Sequence, residues 1–324
     1  MHARRLLELP AAATRLHAAV RLFRRAFRGS EERTPSPRRL RPSYPRQIAI
    51  GRLARQLADR TLTSPPSAVS RRINAERLVI LGWVRAILLQ LAHPLIAAGV
   101  AEHSTFRAST PAALGRLHQT IGAMLALTFG DEPARETALE AIRSIHRRVH
   151  GALRTACGPF PAGTPYSAED PALLLWVHAT LIDSIARVYD RLVMPLTDAD
   201  RDAYCADAVD VAVALGADSG RVPRSWRALQ TYLDAHYASG AIEPCTQARE
   251  LAAALLLTPV LRLVGAGLLP DRLRRAYGFE WNPRRERAFR AALTVLRVAR
   301  RMTPRRVAWW RAARLDRLSA LRPR

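Results

Sequence analysis

The chain has 324 residues, enough to bury one large core or two ordinary ones, and its 49 % hydrophobic content is that of a globular protein. A net charge of +24 arises from 51 basic residues, all arginine, against 27 acids. No nucleic-acid motif or aromatic interleaving accompanies it, which leaves specific nucleic-acid recognition without support. Cys157, Cys205 and Cys245 form no CxxC or CxxCH, which excludes a zinc ribbon, a c-type haem and a disulfide scaffold and suits a reducing compartment.

The charge is unevenly placed. Residues 1–86 hold 19 Arg against 5 acids and residues 270–324 hold 17 against 4, whereas 87–269 hold 15 Arg against 18 acids. Exclusive arginine amid abundant Ala, Pro and Leu reads as the codon bias of a GC-rich genome. Basic ends around a near-neutral body suit solvated arms and helix faces, with peripheral contact to an anionic membrane as a further expectation. The start, MHARRLLELP, lacks the apolar stretch of a signal peptide, so a cytoplasmic location is expected.

Residues 1–45 contain a short amphipathic stretch, LHAAVRLFRRAF, then EERTPSPRRLRPSYPRQ, whose Pro and Arg suit a linker or an ordered wrap without regular structure. NAERLVILGWVRAILLQLA predicts one long apolar helix ended by His93-Pro94. TPAALGRLHQTIGAMLALTF follows, with Thr110 as cap and Pro111 in the first turn.

GDEPARETALEAIRSIHRRVHG then predicts a helix over 131–150, capped by Asp131 and closed by Gly151. On a wheel, Leu139, Ile142, His146 and Val149 share one arc, with Ala138 and Ile145 beside it. His146 therefore points inward, and His150 sits at the solvent margin.

Asp170-Pro171 opens the helix ALLLWVHATLIDSIARVYDRL. Thr197, with Asp200 three residues on, opens another that stops at Gly216. Further helices are expected over roughly 224–238, 246–268 and 285–300. Alternating strand patterns are absent. The expected fold is all-α: a single large helical domain over 76–275, an irregular basic extension over 1–75 and a basic helical segment over 276–324. The apolar runs at 79–101 and 252–269 carry Arg85, His93 and Pro94, and Pro259 and Arg262, so core helices suit them better than spans.

Four positions carry candidate chemistry. Arg116 and Thr120 lie four apart, beside an apolar arc of Leu114, Leu117, Ile121 and Met124. The plainer reading there is a snorkelling Arg and a Thr bonded to its own backbone. His178 sits at the centre of the face made by Leu174, Leu175, Leu181, Ile182 and Ile185. The plainer reading for it is a core histidine bonded to a carbonyl. Two inward histidines on separate helices, His146 and His178, nevertheless point to a haem or metal pocket. The spacing of His146 and His150 is that of zinc-peptidase helices, but Arg147 stands where the general base belongs, which argues against hydrolytic zinc. A haem needs only one axial imidazole, a large apolar pocket and a few polar groups.

The series HPLIAAGVAEHSTF, GRLHQT, IRSIHRRVHG, YSAEDPALLLWVHATLIDS, LTDADRDAYCADAVDVAVALG and VPRSW, spanning about 78–275, resembles the MpaB family. That family comprises haem-b oxygenases and includes bacterial rubber oxygenase (latex clearing protein) and the fungal MpaB enzyme of mycophenolic acid biosynthesis. Its hallmark Arg, a Thr four residues on and a downstream helix His fall on Arg116, Thr120 and His146. The resemblance implies haem b, with His146 as the iron ligand and Arg116 and Thr120 in or near the pocket. His178 is then a second pocket histidine or a rival axial ligand. Two departures matter. Gln119 stands where rubber oxygenases carry a lysine, and the upstream acidic base has Glu102 as its nearest candidate. Haem thus carries over better than polyisoprene as substrate. The expected function is activation of dioxygen to oxidise or cleave an apolar, unsaturated, isoprenoid-like substrate. The competing expectation is a non-catalytic haem or lipid carrier with the same pocket.

Overall fold

Short polar residues ahead of apolar runs set where the helices begin. Asp170 accepts hydrogen bonds from the backbone N–H groups of Ala172 (2.8 Å) and Leu173 (3.3 Å). Thr197 and Asp200 cap one another reciprocally, and Gly216 ends the same helix in the left-handed conformation at φ 112°. The computed structural model describes residues 62, 65–103, 110–256 and 258–320, without the side chains of 110–118 and 318–320. The amphipathic and Pro-rich stretches read within 1–45 lie outside these residues.

Among the described residues the order is α1 (Ala68–Asn74), a 3₁₀ turn (Arg77–Val79), α2 (Ile80–Leu91), α3 (Pro94–His103), α4 (Thr110–Phe129), α5 (Glu132–His146), β1 (His150–Ala152), β2 (Pro165–Ser167), α6 (Pro171–Leu192), α7 (Asp198–Leu215), α8 (Trp226–Ala238), α9 (Thr246–Leu255), α10 (Pro259–Leu268), α11 (Asp271–Ala276), α12 (Pro283–Met302), α13 (Arg305–Ala308) and α14 (Arg311–Ala320). The fold is all-α apart from one antiparallel pair, β1 with β2. Only α6 is long and apolar enough by itself to cross a bilayer, and it is largely buried within the fold.

Three boundaries depart from the sequence expectation. The long helix over 74–92 is broken at Glu76, whose backbone is extended (φ −79°, ψ 125°). Its carboxylate is buried and accepts from Arg300 Nε (2.6 Å) and Trp309 Nε1 (2.8 Å). A buried acid needs those donors, and reaching them pulls the chain out of the helix. The helix over 131–150 stops at His146, because His150 and Gly151 pair with Ser167 and Tyr166. Gly151 is required there for close approach, since a Cβ would lie 2.6 Å from Tyr166 Oη. The helix over 246–268 splits into α9 and α10, where Thr258 caps Leu261 N–H at 3.2 Å ahead of Pro259.

The centre of the molecule is the contact of α2 with α6. Gly82 permits it: a Cβ would meet Ser184 O at 2.7 Å and Ile185 Cα at 2.9 Å. One turn on, Arg85 (5 % exposed) donates through Nη1 to Asp183 Oδ2 at 2.7 Å and to Ser184 Oγ at 2.6 Å, and through Nε to Leu268 O at 2.8 Å. Asp183 (1 % exposed) also accepts from Arg187 Nε (2.7 Å) and Gln230 Nε2 (2.9 Å). Opposed charge and these donors hold its carboxyl below the usual range against the effect of burial. Trp83, Leu88, Leu89, Trp176 and Ile185 pack around this polar knot in one core cluster.

The basic C-terminal helices lie on the same body. Phe289 of α12 packs with Val188, Leu192, Val264 and Leu268. Asp183→Ala would leave Arg85 buried without its counter-ion, so we expect it to cost about 3–5 kcal/mol. Urea unfolding of the variant beside the parent chain measures this, and a loss below about 1 kcal/mol would contradict the assignment.

Candidate functional site

His146 is the last residue of α5, a helix that carries Arg135, Ala138 and Leu139 as buried positions. Leu139 and Ile142 pack with Leu127 of α4 and Ala214 of α7, which fixes the helix's rotation. The imidazole is half-buried. Its Nδ1 is fully buried and has no hydrogen-bond partner. Burial lowers its pKa, opposed by the nearby charge of Glu169. The ring is thus held neutral, with a lone pair available: the form in which histidine ligates a metal.

His178 lies on α6, half-buried among Leu174, Leu175 and Ile182, which are buried. Burial alone pushes its pKa down to about 4. Among the described residues, no hydrogen bond or ring contact joins it to His146. Half-buried apolar side chains lie on α3 (Ile96, Val100), α4 (Met124, Leu125) and α6 (Val177, Leu181), where neighbouring positions of these helices are buried outright.

Arg116 lies on α4, and its side chain is outside the described residues. Thr120, one turn later, is exposed, as is Gln119. Glu102 ends α3 as an exposed residue whose carboxylate is engaged, accepting from Tyr166 Oη at 2.7 Å and Arg154 Nε at 2.8 Å. The Tyr166 bond foremost, and Arg154 with it, lower its pKa. Those donors favour a fixed anion over a proton acceptor. The same contacts pin the β1–β2 hairpin to α3, aided by His103 Nε2, 3.0 Å from His150 O.

The sequence reading missed an aromatic and histidine cluster beside this hairpin. His93, at the α2–α3 corner, is buried with its ring 5.3 Å from that of Phe160. His236 stacks on Trp176 at 5.4 Å and lies 4.1 Å from the Tyr232 ring. His93 was read only as a helix stop, and no local spacing joins it to a residue on α8. Among the described residues no three His, Cys, Asp or Glu side chains gather as a metal site. Open clefts of about 640 Å³ along α5, at Pro133, Glu136 and Glu140, and about 710 Å³ at the start of α8 are not lined by His146 or His178.

Residues 70–298 match the family described as ER-bound oxygenase mpaB/B'/Rubber oxygenase, catalytic domain. The chain belongs to this family. The match contains α2 through α11 whole and extends the resemblance over 78–275 at both ends. It makes the helical body an oxygenase catalytic domain, acting on a small molecule and dioxygen. An uncharacterized protein of Mycobacterium tuberculosis and one of Mycobacterium bovis are each 30 % identical over 236 residues, covering 69 % of this chain and 89 % of their own. No solved structure matches.

His93 gives a pH prediction. Burial first, then the neighbouring His236, lowers its pKa from 6.5 to about 4, against a smaller opposite pull from Asp170. Between those values the unfolded chain holds the extra proton, so stability falls as pH drops from 6.5 towards 4. Unfolding midpoints across that window should decline more steeply in the parent chain than in His93→Gln. Equal slopes would contradict the buried, neutral ring.

Proposed function

We propose that this oxygenase is a haem-b enzyme that oxidises or oxidatively cleaves an apolar, unsaturated, isoprenoid-like substrate, with His146 as the iron ligand. The observation that carries it is the buried Nδ1 of His146 with no partner. A buried ring nitrogen left unbonded costs on the order of 1–3 kcal/mol, and binding a metal at the imidazole together with an acceptor for its other nitrogen removes that cost. A site that needs one imidazole is satisfied here, whereas a site built wholly from protein donors lacks a cluster among the described residues.

When bound, the haem supplies the dioxygen chemistry. The chain supplies position and polarity. Burial keeps His146 neutral and available to ligate. Arg116, through charge-assisted hydrogen bonds, is assigned to a carboxylate of the cofactor, and Thr120 to orienting what binds beside it. His178 is the second pocket histidine, kept neutral by burial. Glu102 holds the hairpin through Tyr166 and Arg154, and this is the role its geometry favours over that of base. The half-buried aliphatic groups on α3, α4 and α6 provide the apolar lining that a porphyrin and an isoprenoid both require. Three free thiols suit a cytoplasmic setting.

The purified protein, or the apoprotein titrated with haemin, should show a Soret band. His146→Ala should lose it while keeping its far-UV circular dichroism. Retention in His146→Ala with loss in His178→Ala would move the ligand to α6, and a parent chain that takes up no haem would contradict the proposal. Oxygen uptake should follow addition of an unsaturated isoprenoid and not of its saturated analogue. Tight haem binding without uptake would favour a carrier.

A further inference from the structure

The helix α12, PRRERAFRAALTVLRVARRM, has two apolar stripes where a surface helix has one. The first is buried against the body through Phe289, with Ala292, Leu293 and Leu296 packed in the same cluster. The second runs along the opposite side through Ala288, Ala291, Val295, Val298 and Met302, at alternating spacings of three and four. It faces solvent: Val295 is 44 %, Val298 48 % and Met302 80 % exposed. Arg284, Arg287 and Arg301 are exposed beside this stripe. Other arginines of the helix are engaged, Arg290 with Glu286 and Arg297 with Arg191 O. These three meet no carboxylate among the described residues.

We infer that this outer face of α12 docks on an anionic lipid surface, with Val295, Val298 and Met302 entering the headgroup boundary and Arg284, Arg287 and Arg301 meeting lipid phosphates and carboxylates. Exposed aliphatic groups in line with unpaired guanidinium groups are what an interfacial helix presents to such a surface. The other occupants fit less well. A nucleic acid satisfies the arginines and leaves the valines and methionine in water. A second copy sets arginine against arginine. Residues 1–61 carry 15 Arg against 4 acids, so charge also turns that segment away. Docking of this kind would hold the oxygenase where apolar small molecules dissolve, and it stands independently of the cofactor assignment.

Co-sedimentation of the full chain with vesicles tests it, using phosphatidylcholine alone and phosphatidylcholine mixed with phosphatidylserine. The protein should pellet with the mixed vesicles, weakly with phosphatidylcholine alone, and less as salt rises. Arg287→Gln combined with Arg301→Gln should weaken partitioning by roughly tenfold or more, at about fivefold per cation. Val298→Asp combined with Met302→Asp should weaken it comparably, with unchanged circular dichroism because both side chains face water. Parent-like partitioning by both double variants would overturn the assignment of this face. So would pelleting with duplex DNA in place of vesicles, or self-association that disappears in Val298→Asp with Met302→Asp.

Discussion

The close crossing of α2 over α6 is the constraint on which the rest of the molecule depends. Gly82 brings the two backbones together at Ser184, and the crossing seals Arg85 and Asp183 out of water. Two charges so buried are tolerable only when every donor and acceptor finds a partner. They draw those partners from the ends of other elements: Leu268 O closing α10, Gln230 from α8, and Arg187 from the next turn of α6. The knot therefore fixes the register of four helices at one point, a task that interchangeable aliphatic contacts perform less well.

Everything assigned to chemistry is hung on that frame. The central helix α6 carries His178 on one of its faces and begins directly after the hairpin strand β2. The hairpin is pinned to α3 through Tyr166, Glu102 and Arg154, and it follows within four residues of His146. The helix pair α4–α5 thus presents Thr120 and His146 from one side, while α3 and α6 provide apolar surface from the other. Charge follows the same division. The near-neutral body holds the candidate site, and the cations concentrate on the terminal helices, where α12 buries one apolar stripe and exposes another.

Much of this was legible in the chain because helix signals are local. The caps Asp131, Asp170, Thr197 and Asn282 and the stop at Gly216 act within four residues of themselves, and periodicity does the rest. The misread boundaries have distant causes. Glu76 leaves the helix to meet Arg300 and Trp309, partners more than two hundred positions away. Gly151 reads as a helix stop from its own neighbours, yet its role is to admit the Tyr166 hydroxyl. The candidate site divides in the same manner. The inward arc of α5 singled out His146 from spacing alone, whereas the engagement of Glu102 by Tyr166 and the meeting of His93 with His236 exist only after folding. Arg116 and Thr120 rest on a motif, since wheel geometry alone also allows a snorkelling arginine and a self-bonded threonine.

Family membership makes this an oxygenase, and one unbonded nitrogen on α5 makes His146 the point at which an iron cofactor would attach. The most direct test is chemical rescue at that position. With His146→Gly loaded with haemin, adding free imidazole should restore the ligated absorption spectrum and slow loss of the cofactor, and the same addition to His178→Gly should change neither. Imidazole that restores His178→Gly and leaves His146→Gly unaltered would contradict the account.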